Sequence, residues 1–177
     1  MSELSAFEQA EAPRFRTGLD WFVISNAQDV TCIRIGATAE RVVDMLHALS
    51  VYLDPAVDLH IDDARTGRRW QGTLLPLPEV RETVGRLRLP LAAYGGVEVS
   101  LFTDSDQLTL TPEMQLVIYA RTDRWAFLLD GMGLLERTTA PAPSWVPQRG
   151  ALRAEPQLEQ ALEAAAERLD LIAEPHP

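Results

Sequence analysis

Five of the sixteen basic residues fall in two short, similar segments, "ARTGRRW" at Ala64–Trp70 and "ARTDRW" at Ala120–Trp125. Arginine carries a planar fork of donors that matches carboxylate and phosphate oxygens. If the two segments were neighbours in space, Arg65, Arg68, Arg69, Arg121 and Arg124 would form one basic corner on an acidic protein. Such a corner would suit a phosphate, a carboxylate or an acidic partner. The plainer account leaves these arginines at strand ends, solvated and paired with Asp62, Asp63 and Asp123.

Other residues with chemical capacity are scattered. Asp58, His60 and Asp62 alternate along "VDLHID" and share one strand face, an arrangement that can ligate a metal. No further ligand is marked, and a solvated polar face gives the same pattern, so no metal site is assigned. "TDSDQ" (Thr103–Gln107) offers Asp104 and Asp106 but lacks the glycine and distal glutamate of a calcium loop, and reads as a turn. "DGMG" (Asp130–Gly133) falls short of a dinucleotide fingerprint. His47 has no serine or cysteine placed beside it by sequence, and Cys32, in a short apolar strand, reads as packed rather than reactive. No catalytic residue is assigned, and no cofactor is expected.

Composition removes whole classes of activity. All sixteen basic residues are arginine. Without lysine there is no Walker A loop, no Schiff base, no pyridoxal phosphate anchor and no kinase-type lysine. A formal charge of −10 disfavours unspecific attraction to nucleic acid or anionic membranes. The single cysteine excludes an intramolecular disulfide. No apolar run approaches the roughly 20 residues of a membrane span, and no signal peptide is read in the acidic N-terminal stretch. A cytoplasmic location is the default expectation.

The elements that must position these residues follow from periodicity. "DWFVIS" and "VTCIRI" read as a hairpin. Val42, Leu46, Leu49 and Leu53 make one stripe of a helix over 38–53, with Thr38 as N-cap and the capping box left incomplete by Arg41. "VDLHID" and "RRWQGTLL" form a hairpin around the first ART segment, and a weaker helix starts at Pro78, interrupted by Gly85 and Pro90. "GVEVSLF" and "QLTLT" are strands. "QLVIYARTDRWAFLLDG" reads as a second hairpin, with Trp125 early in its returning strand. That pair is apolar on both faces, through Val117, Tyr119 and Leu128 as well as Leu116 and Ile118, and so would be covered on both sides.

The expected fold is α+β: a largely antiparallel sheet of about eight short strands, two helices on one face and an amphipathic C-terminal helix. Its divisions are an N-terminal arm (1–18), an α+β domain (19–137), a proline-rich linker (138–156) and a docking helix (157–172). Leu158, Leu162 and Leu169 form that helix's interface, against its own sheet or a second copy. Sliding the chain by 56 residues matches the two ART segments but lays helix over strand, whereas a shift near 40 matches the helices and separates the ART segments. The economical explanation is local, one kind of turn used twice. A non-catalytic intracellular protein-binding module (chaperone, adaptor or immunity-type partner) fits these features best. The alternatives are a small-molecule or anion-binding domain using the hairpin-tip arginines and, third, an enzyme. The expected partner is a protein, with a homodimer as one arrangement, and neither nucleic acid nor membrane.

Overall fold

The computed structural model describes residues 20–141 and 153–174. Alternating side chains build β1 (Trp21–Ala27) and β2 (Val30–Gly36), joined by a tight turn at Gln28-Asp29. Next come α1 (Ala39–Leu49), a 3-10 turn at Ser50–Tyr52, β3 (Ala56–Asp63) and β4 (Arg68–Pro76). Two short helices follow, α2 (Leu77–Arg86) and α3 (Arg88–Tyr94), then β5 (Val97–Phe102), β6 (Asp106–Leu110) and β7 (Leu116–Ala120). The chain is completed by α4 (Arg124–Gly131), β8 (Leu135–Glu136), α5 (Pro156–Arg168) and β9 (Ile172–Glu174). The fold is α+β, as expected.

The nine strands form one sheet in the order β8-β1-β2-β7-β6-β5-β3-β4-β9. Every pair is antiparallel except β1 with β8. Short hairpin links argue against parallel neighbours; the exception is made by the segment expected to be the second hairpin. After β7 the chain does not return as a strand. It forms α4, and the crossover delivers β8 parallel to β1.

Trp125 therefore lies in a helix, not a strand, and is fully buried. Its partner at i+4 is Leu129, also buried, which is helical rather than strand spacing. The helix ends at Gly131, and Gly133 just beyond it, at φ +83°, takes the left-handed turn that closes the end, with the Leu134 amide donating to the Leu129 carbonyl at 3.1 Å.

Register shows which side chains share a face. Leu59 lies opposite Leu101, Leu101 opposite Leu108, Leu108 opposite Ile118 and Ile118 opposite Ile33. These five are completely buried and belong to one core with residues of all five helices. From the opposite face, only residues outside that core appear: Trp21, Ser100, Thr109, Val117 and Tyr119 among them. The helices thus form a single layer. Among the described residues no second layer covers the other face of the sheet.

The predicted stripe is buried at Val42, Leu46 and Leu49 of α1, but the helix ends at Leu49 rather than Leu53, which is buried just beyond the 3-10 turn. Pro90 is tolerated because it falls in the first turn of α3, where its missing N–H has no helical acceptor. The last helix docks on its own chain, against α2 and α3, and Leu158, Leu162 and Leu169 are buried. It ends at Arg168, earlier than expected; Asp170 turns the chain at φ +50°, and Ile172 belongs to β9 and is exposed.

Candidate binding face

The five arginines do not converge. At one end of the sheet Asp63 lies opposite Val97, and beyond that end sits the first ART segment. At the other end Asp106 lies opposite Ala120, where the second begins. Since β5 and β6 run the full length between these ends, no shared corner exists.

Four of the five have partners. Arg65 donates to the carbonyls of Tyr94 and Gly95, satisfying the open end of α3. Arg68 pairs with Glu163 of α5 at 2.5 Å and covers the Trp70 ring at 4.7 Å. Arg69 pairs with Asp62 at 2.7 Å. Arg124 donates to Asp106 at 2.6 Å and to the Tyr52 carbonyl at 3.1 Å. Arg121, exposed like Arg68, Arg69 and Arg124, is the one of the five with no ion pair or hydrogen bond to a described residue.

The acids are equally occupied. Asp63 is buried and shapes the first turn, accepting the Arg65 amide at 3.0 Å and the Thr66 hydroxyl at 2.8 Å. Asp106, from "TDSDQ", is buried too; it accepts the Trp125 indole N–H at 2.8 Å and the Ser105 hydroxyl at 2.9 Å, fixing the start of α4. The residues Asp58, His60 and Asp62 share a face but do not converge on a point. Asp58 accepts the Leu74 amide at 2.8 Å, at an irregularity in the β3–β4 ladder. The His60 ring rests on Phe102 with centroids 4.8 Å apart. Among the described residues no group of three or more His, Cys, Asp or Glu is placed to hold a metal ion.

The face that no described helix covers is built from rows that cross the strands. In the central row Arg34 lies opposite Val117, Val117 opposite Thr109, Thr109 opposite Ser100 and Ser100 opposite His60. The next row holds Cys32, Tyr119, Gln107 and Phe102. Ser100 and Thr109 share a hydrogen bond of 2.9 Å, Gln107 donates to Thr109 at 2.9 Å, and Ser100 donates to Glu98 at 3.2 Å. These buried hydroxyls are satisfied along the sheet, so the face needs no covering layer for its polar groups. Over β1, β2 and β7 it mixes apolar and polar groups: Val117 is buried and Tyr119 40% exposed, while Arg34 and Ser25 are exposed beside them.

Burial, and then the neighbouring Cys32, push the Tyr119 hydroxyl above its ordinary pKa, while Arg34 opposes them. Two open depressions mark the face. One of about 240 Å³ lies among His60, Asp62, Arg69, Gln71, Glu98 and Glu174. The other, about 170 Å³, includes Phe102, Gln107, Tyr119 and Arg121.

On the covered side, His47 lies against α2, where burial and then Arg81 lower its pKa, opposed by Asp44. Arg81 also donates to the His47 carbonyl at 3.3 Å and to Ser50 at 3.1 Å, closing the end of α1. These helix-end arginines had no local sequence signal, because their acceptors lie about thirty residues away. For α4 the local sequence signal is the i, i+4 pairing of Trp125 with Leu129 followed by Gly133. No protein-family model, curated protein or solved structure matches the chain.

Proposed function

We propose that this chain is a non-catalytic protein-binding module that presents the helix-free face of its sheet to a protein partner. One observation carries the proposal: among the described residues the helix layer covers one face only, while Val117, Tyr119, Phe102 and Cys32 line the other. An antiparallel sheet with a solvated face normally alternates apolar with polar residues. On β7 that alternation fails, with Val117 and Tyr119 outward beside the exposed Arg34 of β2, an apolar patch with a charged rim of the kind that meets another surface. The His60 ring rests at a tilt against Phe102, and the Ser100 hydroxyl is held by Thr109 and Glu98, so the two are not arranged as nucleophile and base. The anion-binding alternative loses its basis with the separation of the arginines.

A photo-crosslinking amino acid placed at Tyr119, with one at Glu163 on the helix layer as the reference, tests the proposal in the native host. A discrete protein adduct is expected from position 119 and not from position 163. Adducts from 163 alone, or none from 119 under conditions where the protein is expressed and folded, overturn it.

A further inference from the structure

The two edges of the sheet are finished differently. At one, β4 is covered by β9 over Arg69–Gln71, and the remainder carries a ladder irregularity, a positive φ of +53° at Leu74 and a terminal proline, Pro76. Charges, bulges and prolines are the usual means of keeping a strand edge from pairing. At the other edge β8 covers only Trp21 and Phe22 of β1. The remaining stretch, Val23–Ala27, reads "VISNA", with no charge, no proline and no bulge.

The groups of this edge that no described residue pairs can be named. The Leu135 amide donates to the Asp20 carbonyl and the Arg137 amide to the Phe22 carbonyl, so even-numbered residues of β1 face outward. The N–H and C=O of Ile24 and Asn26 are therefore directed away from β2, and no described backbone group bonds to them.

We infer that this edge pairs with the same edge of a second copy, β1 against β1 about a two-fold axis. β8 occupies the edge as far as Phe22, which limits the register. Antiparallel pairing that uses both free residues of both copies sets Ile24 opposite Asn26 of the partner subunit, with Ser25 on the axis. Two such pairs exchange about four backbone hydrogen bonds. A foreign strand added here would bring a new open edge of its own; a second copy leaves none of these four residues unpaired. With no charged residue in the stretch, no like charges meet across the axis. The result is one continuous sheet whose two uncovered faces point to the same side. This inference goes beyond the partner-binding proposal and does not depend on the crosslinking result.

Ser25 is exposed, and its side chain makes one long bond, to the Cys32 carbonyl at 3.4 Å, so charge can be placed there with little effect on the fold. Analytical ultracentrifugation of the full chain is expected to show a monomer–dimer equilibrium. Ser25→Lys and Ser25→Asp should each weaken it about tenfold or more, because like charges then face each other on the axis. Mixing the two variants should restore dimers of mixed composition. Unchanged thermal melting would show that each variant is folded. Three results overturn the inference: a monomer at every concentration, a dimer indifferent to both variants, or a dimer that forms only after residues 1–18 are removed. The last would make that segment the occupant of the edge.

Discussion

Two segments of nearly the same sequence adopt different structures in this protein. "ARTGRRW" is a turn between β3 and β4; "ARTDRW" ends β7 and begins α4. The shared letters do the same limited work in both, bringing a strand to its end. The residues after them decide the outcome. In the first, Gly67 takes φ +69° and the chain folds back, placing Trp70 opposite Ile61 in the sheet. In the second, Asp123 stands where that glycine would be, and the apolar Trp125 is matched at helical spacing by Leu129. A tripeptide does not specify a turn; the next residue and the apolar period beyond it do.

Changes at the two tryptophans should separate the segments most. Trp125→Ala is expected to cost about 3–5 kcal/mol, by removing a fully buried ring. The milder pair is more telling. Trp125→Phe leaves Asp106 without its indole donor and should cost about 1–3 kcal/mol, whereas Trp70→Phe removes no hydrogen bond to a described residue and should cost less. Urea titrations of the two phenylalanine variants measure the difference, and equal losses would erase the distinction between the segments.

The turn residues should matter next. Gly67→Ala forces a side chain into the left-handed region and is expected to cost about 1–2 kcal/mol. Asp123→Ala should stay within about 0.5 kcal/mol, because Asp123 precedes α4 without capping it through its side chain. Thermal melts of both variants would settle the order, and a larger loss at position 123 would reverse it. The smallest effects belong to the arginines themselves. Arg68→Ala breaks an exposed pair with Glu163 and should cost at most about 1 kcal/mol. Arg121→Ala, with no described partner to lose, should leave the melting temperature unchanged.

Much of the fold could be read from the chain because it is written locally. The alternation of Val57, Leu59 and Ile61, the stripe of α1, and the docking residues Leu158, Leu162 and Leu169 each follow from periodicity within a single element. The second ART segment misled because its apolar residues fit a strand on both faces, and a two-sided strand pair and a buried helix look alike over so short a run. The arginine corner failed for a topological reason: whether two strand ends coincide depends on the strands between them. The clamps formed by Arg65 and Arg81 were invisible for a related reason, since a donor's sequence does not name a distant carbonyl. Arg41, read as a defective capping residue, instead holds the buried Asp20 at the start of β1.

The place of α5 in the chain has a consequence for biosynthesis. The groove that receives Leu158, Leu162 and Leu169 is made by α2 and α3, far earlier in the chain, and the edge that receives β9 is made by β4. As the polypeptide emerges from the ribosome, the residues of that apolar seat are synthesised before its occupant. Until α5 arrives, the nascent chain presents the seat to the surrounding solution. Chaperone contact during translation should therefore peak after α3 has emerged and fall when α5 does.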